Sequence, residues 1–105
     1  MTIPLSPTLV DSHCHINFDP LGANVVQVLE NARLQGVGHF LCVAVNLEDY
    51  PQVRALAHAH THVFASVGVH PNETAGKDPS VDELVQLADD VKVVAIGETG
   101  LDYYR

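Results

Sequence analysis

His13 and His15 stand two residues apart in Asp11-Ser12-His13-Cys14-His15. In an extended strand, residues i and i+2 share a face. The two imidazoles therefore face one way, together with Asp11. Two neighbouring imidazoles form a bidentate site for a divalent metal. A His-X-His pair alone serves equally well as surface or core histidines, so the reading needs support from elsewhere in the chain.

Two further segments supply it. In Ala95-Ile96-Gly97-Glu98-Thr99-Gly100-Leu101-Asp102-Tyr103, a carboxylate is flanked by glycines, which let the backbone turn tightly and a ligand come close. In Ser66-Val67-Gly68-Val69-His70-Pro71, the proline keeps His70 extended at the end of an apolar run. Taken singly, Glu98 reads as a helix cap or loop ion pair and His70 as a loop histidine bonded to backbone. Taken with His13 and His15, they end three of four predicted strands in a group that binds metal or moves protons.

The elements that position these groups follow from the apolar period. Leu9–Ile16, His39–Val45, Phe64–Val69 and Val91–Gly97 read as strands. Between them lie helical patterns. The first opens at Asp19 as N-cap with Pro20 in the first turn, and Gly36 stops it. The second runs from Asp49 to His62. The third opens with Ser80-Val81-Asp82-Glu83, a capping box. The order βαβαβαβ, with strands apolar on both faces, means a parallel α/β sheet covered by helices. In such sheets, sites lie at the carboxyl ends of the strands, where His13, His15, His70 and Glu98 fall.

These motifs, in this order and spacing, resemble the N-terminal part of the TatD family of metal-dependent deoxyribonucleases. Asn46-Leu47-Glu48 also sits where that family often has a similar turn. The resemblance implies a TIM (β/α)8 barrel related to the amidohydrolases, with two divalent metal ions in its site. It implies His13 and His15 as ligands of one metal and Glu98 as the carboxylate bridging both. It puts His70 beside the substrate, contacting phosphate. Zn, Mn, Co and Mg all suit such a ligand set to different degrees. The family's remaining ligands, two histidines and an aspartate, would fall beyond Arg105.

A closed barrel needs eight βα units and typically about 250 residues. The expectation for residues 1–105 is therefore one domain that is the first half of such a barrel: four parallel strands alternating with three helices, truncated after the fourth strand. The expected function is metal-dependent hydrolysis of DNA phosphodiesters, with this fragment alone inactive. Two alternatives compete. One is a related amidohydrolase, or a polymerase-and-histidinol-phosphatase-type phosphoesterase, which also opens with His-X-His. Glu98 speaks against the amidohydrolases that place a modified lysine at the fourth strand. The other is a non-catalytic half-barrel that associates with another chain.

Composition agrees with a folded, acidic protein. Apolar residues make up 47% and charged residues 17%, which excludes a disordered chain. Thirteen acids against five Lys and Arg give a net charge of −8, which argues against gripping nucleic acid through a basic surface. Bound cations would offset that charge where phosphate approaches. Cys14 and Cys42 lack the spacing of a zinc knuckle or redox motif and read as free, reduced and buried, hence cytoplasmic. No secretory signal or membrane span is legible. His58-Ala59-His60-Thr61-His62 and His39 read as structural, with His58 and His62 sharing one helical face. Tyr103, Tyr104 and Arg105 are of types that stack on or pair with nucleic acid.

Overall fold

A computed structural model describes residues 8–103. Four strands form one parallel sheet in the order β1 (Leu9–Cys14), β2 (Val37–Cys42), β3 (Val63–Val67) and β4 (Val93–Ile96). Helices α1 (Val25–Leu34), α2 (Tyr50–Ala59) and α3 (Val81–Ala88) make the three crossovers. The expected alternation is borne out: four parallel strands and three helices, the pattern of a partial barrel.

The core sits between α2 and the middle of the sheet. Phe40 and Cys42 of β2, Val63, Ala65 and Val67 of β3, and Tyr50, Val53 and Ala57 of α2 are all buried. Tyr50, Val53 and Ala57 are three and four residues apart, which puts them on one helical face. β2 and β3 are central strands: β3 is almost wholly buried, and β2 is buried at Phe40 and Cys42 and half-buried elsewhere. β1 is an edge strand and is mostly exposed, despite its apolar Leu9 and Val10.

Two helix starts show how local chemistry sets the boundaries. Ser80 and Glu83 form the expected capping box: the Glu83 N–H donates to Ser80 Oγ at 3.1 Å, and the Ser80 N–H to Glu83 Oε1 at 3.4 Å. At α1 the expectation fails. Asp19 caps nothing. A short 3-10 turn, Leu21–Asn24, precedes the helix. The Gly22 N–H, which an Asp19 cap would have served, bonds instead to the Phe18 carbonyl at 2.8 Å. Gly36 does end the segment, in a left-handed conformation with φ +94°.

The histidine run also differs from expectation. α2 ends at Ala59, so His58 and His62 do not share a helical face. His58 pairs with Asp90, and His62 packs edge-on against His39 with ring centroids 5.1 Å apart. These are structural contacts, as the sequence suggested, though made by a different route. Cys14 and Cys42 are free, Cys42 buried and Cys14 only half-buried. Tyr104 and Arg105 of the terminal trio lie outside the described residues, as does the start of the chain read for a signal; Tyr103 is exposed. Among the described residues, no helix is long and apolar enough to cross a membrane.

Candidate metal centre

His13, His15 and Glu98 come together at the carboxyl ends of β1 and β4. One ligand atom from each lies within 4.8 Å of the others. The His13 and His15 Nε2 atoms face the same carboxylate oxygen, Glu98 Oε2, at 3.8 and 3.6 Å. These separations exceed hydrogen bonds. With bonds of about 2.0–2.2 Å to a tetrahedral metal, neighbouring ligand atoms stand roughly 3.3–3.6 Å apart. The spacing thus fits ligands arranged around a cation better than ligands bonded to one another. His70 joins from the end of β3, with Nε2 3.6 Å from the other oxygen, Glu98 Oε1.

The backbone decides what each imidazole can do. His15 Nδ1 lies 3.0 Å from the Val43 carbonyl. A carbonyl only accepts, so Nδ1 carries the proton and Nε2 presents a lone pair toward Glu98. That is the orienting contact typical of a metal-bound histidine. Phe18 stacks on the His15 ring, centroids 4.8 Å apart and planes within 6°. His70 has the opposite arrangement. The Asn72 N–H donates to its Nδ1 at 3.0 Å, so the ring proton sits on Nε2. Asn72 is held in turn by its Nδ2, which donates to Asp102 Oδ2 at 2.9 Å. His15 therefore offers a lone pair at Nε2, and His70 a proton.

Two neighbours stand apart from the cluster. Asp11 turns back to accept the His13 N–H at 3.2 Å. The Cys14 thiol turns away to donate to the Leu41 carbonyl at 3.4 Å, and the neighbouring Cys42 thiol together with burial pushes it well above its ordinary value.

Glu98 is placed by the backbone around it. Its N–H donates to the Ala44 carbonyl at 2.9 Å, and the Gly97 N–H to the Val67 carbonyl at 3.0 Å. Gly68 leaves room for this turn, because a Cβ there would stand 2.5 Å from the Glu98 carbonyl oxygen. Asn46 caps the approach to α2, its Oδ1 accepting the Asp49 N–H at 2.7 Å.

All four residues expected from the sequence thus meet at one rim. Phe18, Asn72 and the Val43 carbonyl were not foreseen. Asn72, two residues after His70 in a proline turn, carried a faint signal as a turn residue. The other two carried none.

Comparison with known proteins gives the family and the fold. The TatD related DNase family matches over residues 10–105. The chain is 43% identical over 100 residues to the uncharacterized metal-dependent hydrolase YcfH of Escherichia coli K12, covering 91% of this chain and 37% of that protein. It is 37% identical over 79 residues to the 3'-5' ssDNA/RNA exonuclease TatD of Salmonella typhimurium, covering 74% of this chain and 30% of that protein. The crystal structure of the TatD homologue YJJV of Escherichia coli superposes with a TM-score of 0.81 at 33% identity, over 91% of this chain and 38% of the other. The chain spans less than two fifths of the length of these relatives.

Proposed function

This chain belongs to the TatD related DNase family, and on that premise we propose that it carries the first part of a metal-dependent phosphodiesterase site acting on DNA. The observation that carries the reading is the division of Glu98, with Oε2 turned to His13 and His15 and Oε1 to His70. A carboxylate whose two oxygens serve different partners suits a bridge between two divalent ions. His13 and His15 would hold one of them.

Bound divalent ions supply an activated water and neutralise phosphate oxygens. The chain's own groups do the rest. His15 is locked by Val43 in the tautomer that offers Nε2. Phe18 covers one face of its ring and keeps it from rotating. His70, with its proton on Nε2, donates to a phosphate oxygen brought against Glu98. The acidic surface, net −8, leaves phosphate no basic groove, so attraction is concentrated where cations sit. DNA is the proposed substrate and the ions are drawn from Zn, Mn, Co and Mg. Free thiols at Cys14 and Cys42 suit a cytoplasmic setting.

Calorimetric titration of this chain with each ion tests the centre, and cleavage assays test the chemistry. A protein of the relatives' length carrying these residues is expected to cleave single-stranded DNA and to stop on addition of chelator, with RNA and duplex DNA as parallel arms. Absence of metal uptake by the chain, or cleavage indifferent to chelator, overturns the reading.

A further inference from the structure

Ser66 is the only polar residue of β3, and it is 2% exposed. Its hydroxyl accepts the Ala44 N–H at 3.2 Å and donates to the Gly97 carbonyl at 2.8 Å. One hydroxyl has one proton to give and lone pairs to receive, so both bonds form together. Each partner leads to a candidate ligand. Gly97 immediately precedes Glu98. Ala44 accepts the Glu98 N–H through its own carbonyl at 2.9 Å, and the carbonyl of its neighbour Val43 receives His15 Nδ1–H at 3.0 Å. The route from His15 to Glu98 therefore runs through two successive residues, Val43 and Ala44, and Ser66 ties that segment to the turn carrying Glu98.

The surrounding backbone makes the tie decisive. β2 ends at Cys42, so Val43 and Ala44 have left the regular ladder. Val43 is still held to β1 by its N–H, which donates to the Cys14 carbonyl at 2.9 Å. Among the described residues, the Ala44 N–H donates to Ser66 Oγ alone. An apolar side chain at position 66 would fill the strand equally well, but it would leave that N–H without its partner and uncouple it from the Gly97 carbonyl.

We propose that Ser66 is a positioning residue of the metal centre, fixing the separation of His15 and Glu98 through the Val43–Ala44 segment. The inference rests on the metal-binding reading given above. It differs from a role in stability alone, because it requires the ligand geometry of the folded protein to change when the hydroxyl is removed.

Titration of the full chain with Co(II), read by the visible d–d bands, tests it, with circular dichroism to verify folding. Wild type is expected to develop the bands. Folded Ser66→Ala is expected to bind Co(II) about 10–100-fold more weakly, the range found when a group supporting a ligand is lost. Its bands at saturation should also change shape. Ser66→Thr, which keeps the hydroxyl, should restore both. Val63→Ala, buried at the other end of β3, should lower stability and leave the bands unchanged. If Ser66→Ala does not fold, Ser66→Cys carries the same comparison with a weaker donor. Wild type that takes up no Co(II) overturns the metal reading and this inference with it. Wild-type uptake with unchanged affinity and bands in Ser66→Ala overturns the role of Ser66 alone. So does a band change in Val63→Ala equal to that in Ser66→Ala.

Discussion

His15 and His70 present the same side chain to the same carboxylate, and the backbone gives them opposite protonation patterns. Val43 takes the Nδ1 proton of one; Asn72 supplies a proton to Nδ1 of the other. Their substitutions should therefore separate by assay. Glu98→Ala removes a group shared by His13, His15 and His70, and should lower metal affinity more than about 100-fold, beyond the loss expected of a supporting group. His70→Ala should leave metal affinity nearly intact while lowering cleavage in a full-length relative. Calorimetry and a DNA cleavage assay give the two readouts, and equal losses of affinity would count against the shared carboxylate. The four residues were legible in the sequence because strand periodicity sends i and i+2 to one side and parallel sheets gather strand ends at one rim. What holds them was not legible. A backbone carbonyl such as Val43 has no residue-type signature, and Phe18 reads as one more apolar residue until its ring is seen against His15.

At the scale of elements, packing overrode local signals wherever backbone groups found other partners. The α3 capping box was readable because its two residues sit within one turn and satisfy each other. Ser80→Ala should cost about 1 kcal/mol in chemical denaturation, the usual value of a lost cap. The α1 start was misread because the Phe18 carbonyl took the Gly22 N–H that Asp19 was expected to cap. Long-range pairings were beyond local reading altogether. Asp90, after α3, receives the Lys92 N–H at 2.9 Å and pairs with His58 and Arg54 on α2, and its carboxyl is pulled down to about 2 from an ordinary 3.8. The backbone bond from Lys92 is the main cause, with His58 next. A carboxyl lowered in the folded state stabilises it fully above the unfolded value and loses that contribution as pH falls through the folded one. The stability gap between wild type and Asp90→Asn should therefore close as pH falls from 3.8 toward 2. A gap independent of pH would show that Asp90 acts only through shape. Gly68 links an element to the site directly. In Gly68→Ala the new Cβ would meet the backbone of Gly97 and Glu98 at 2.7 and 2.5 Å. The turn must move, so metal uptake should fall while helix content by circular dichroism stays close to wild type.

The described residues form an open sheet. Among the described residues, β1 and β4 each pair on one side only. The Cα radius of gyration is 15.0 Å, against about 13 Å for a compact domain of this length. Leu9 and Val10 at one edge, and Val94 and Ile96 at the other, are half or more exposed. Ile96 continues into an apolar hollow lined by Val81, Leu84 and Val85 of α3. The parallel order of strands was legible from the alternation of elements, but the unequal burial of those strands was not. Leu9 and Val10 of β1 are as apolar as Phe40 and Cys42 of β2, and their place at the edge leaves them exposed where the central pair is buried. Unpaired parallel edges offer rows of N–H and C=O groups to another chain, and apolar side chains beside them favour the encounter. This 105-residue chain by itself should therefore self-associate. Sedimentation velocity across a concentration series should show species larger than the monomer, increasing with concentration. Val94→Lys and Ile96→Lys together put charge on the β4 edge, the way natural edge strands discourage pairing, and should shift the distribution toward monomer without weakening metal uptake, since neither side chain is among the candidate ligands. A wild-type chain that remains monomeric at every concentration, with both edges as exposed as these, would mean that the open faces are covered in solution by a rearrangement of the chain itself.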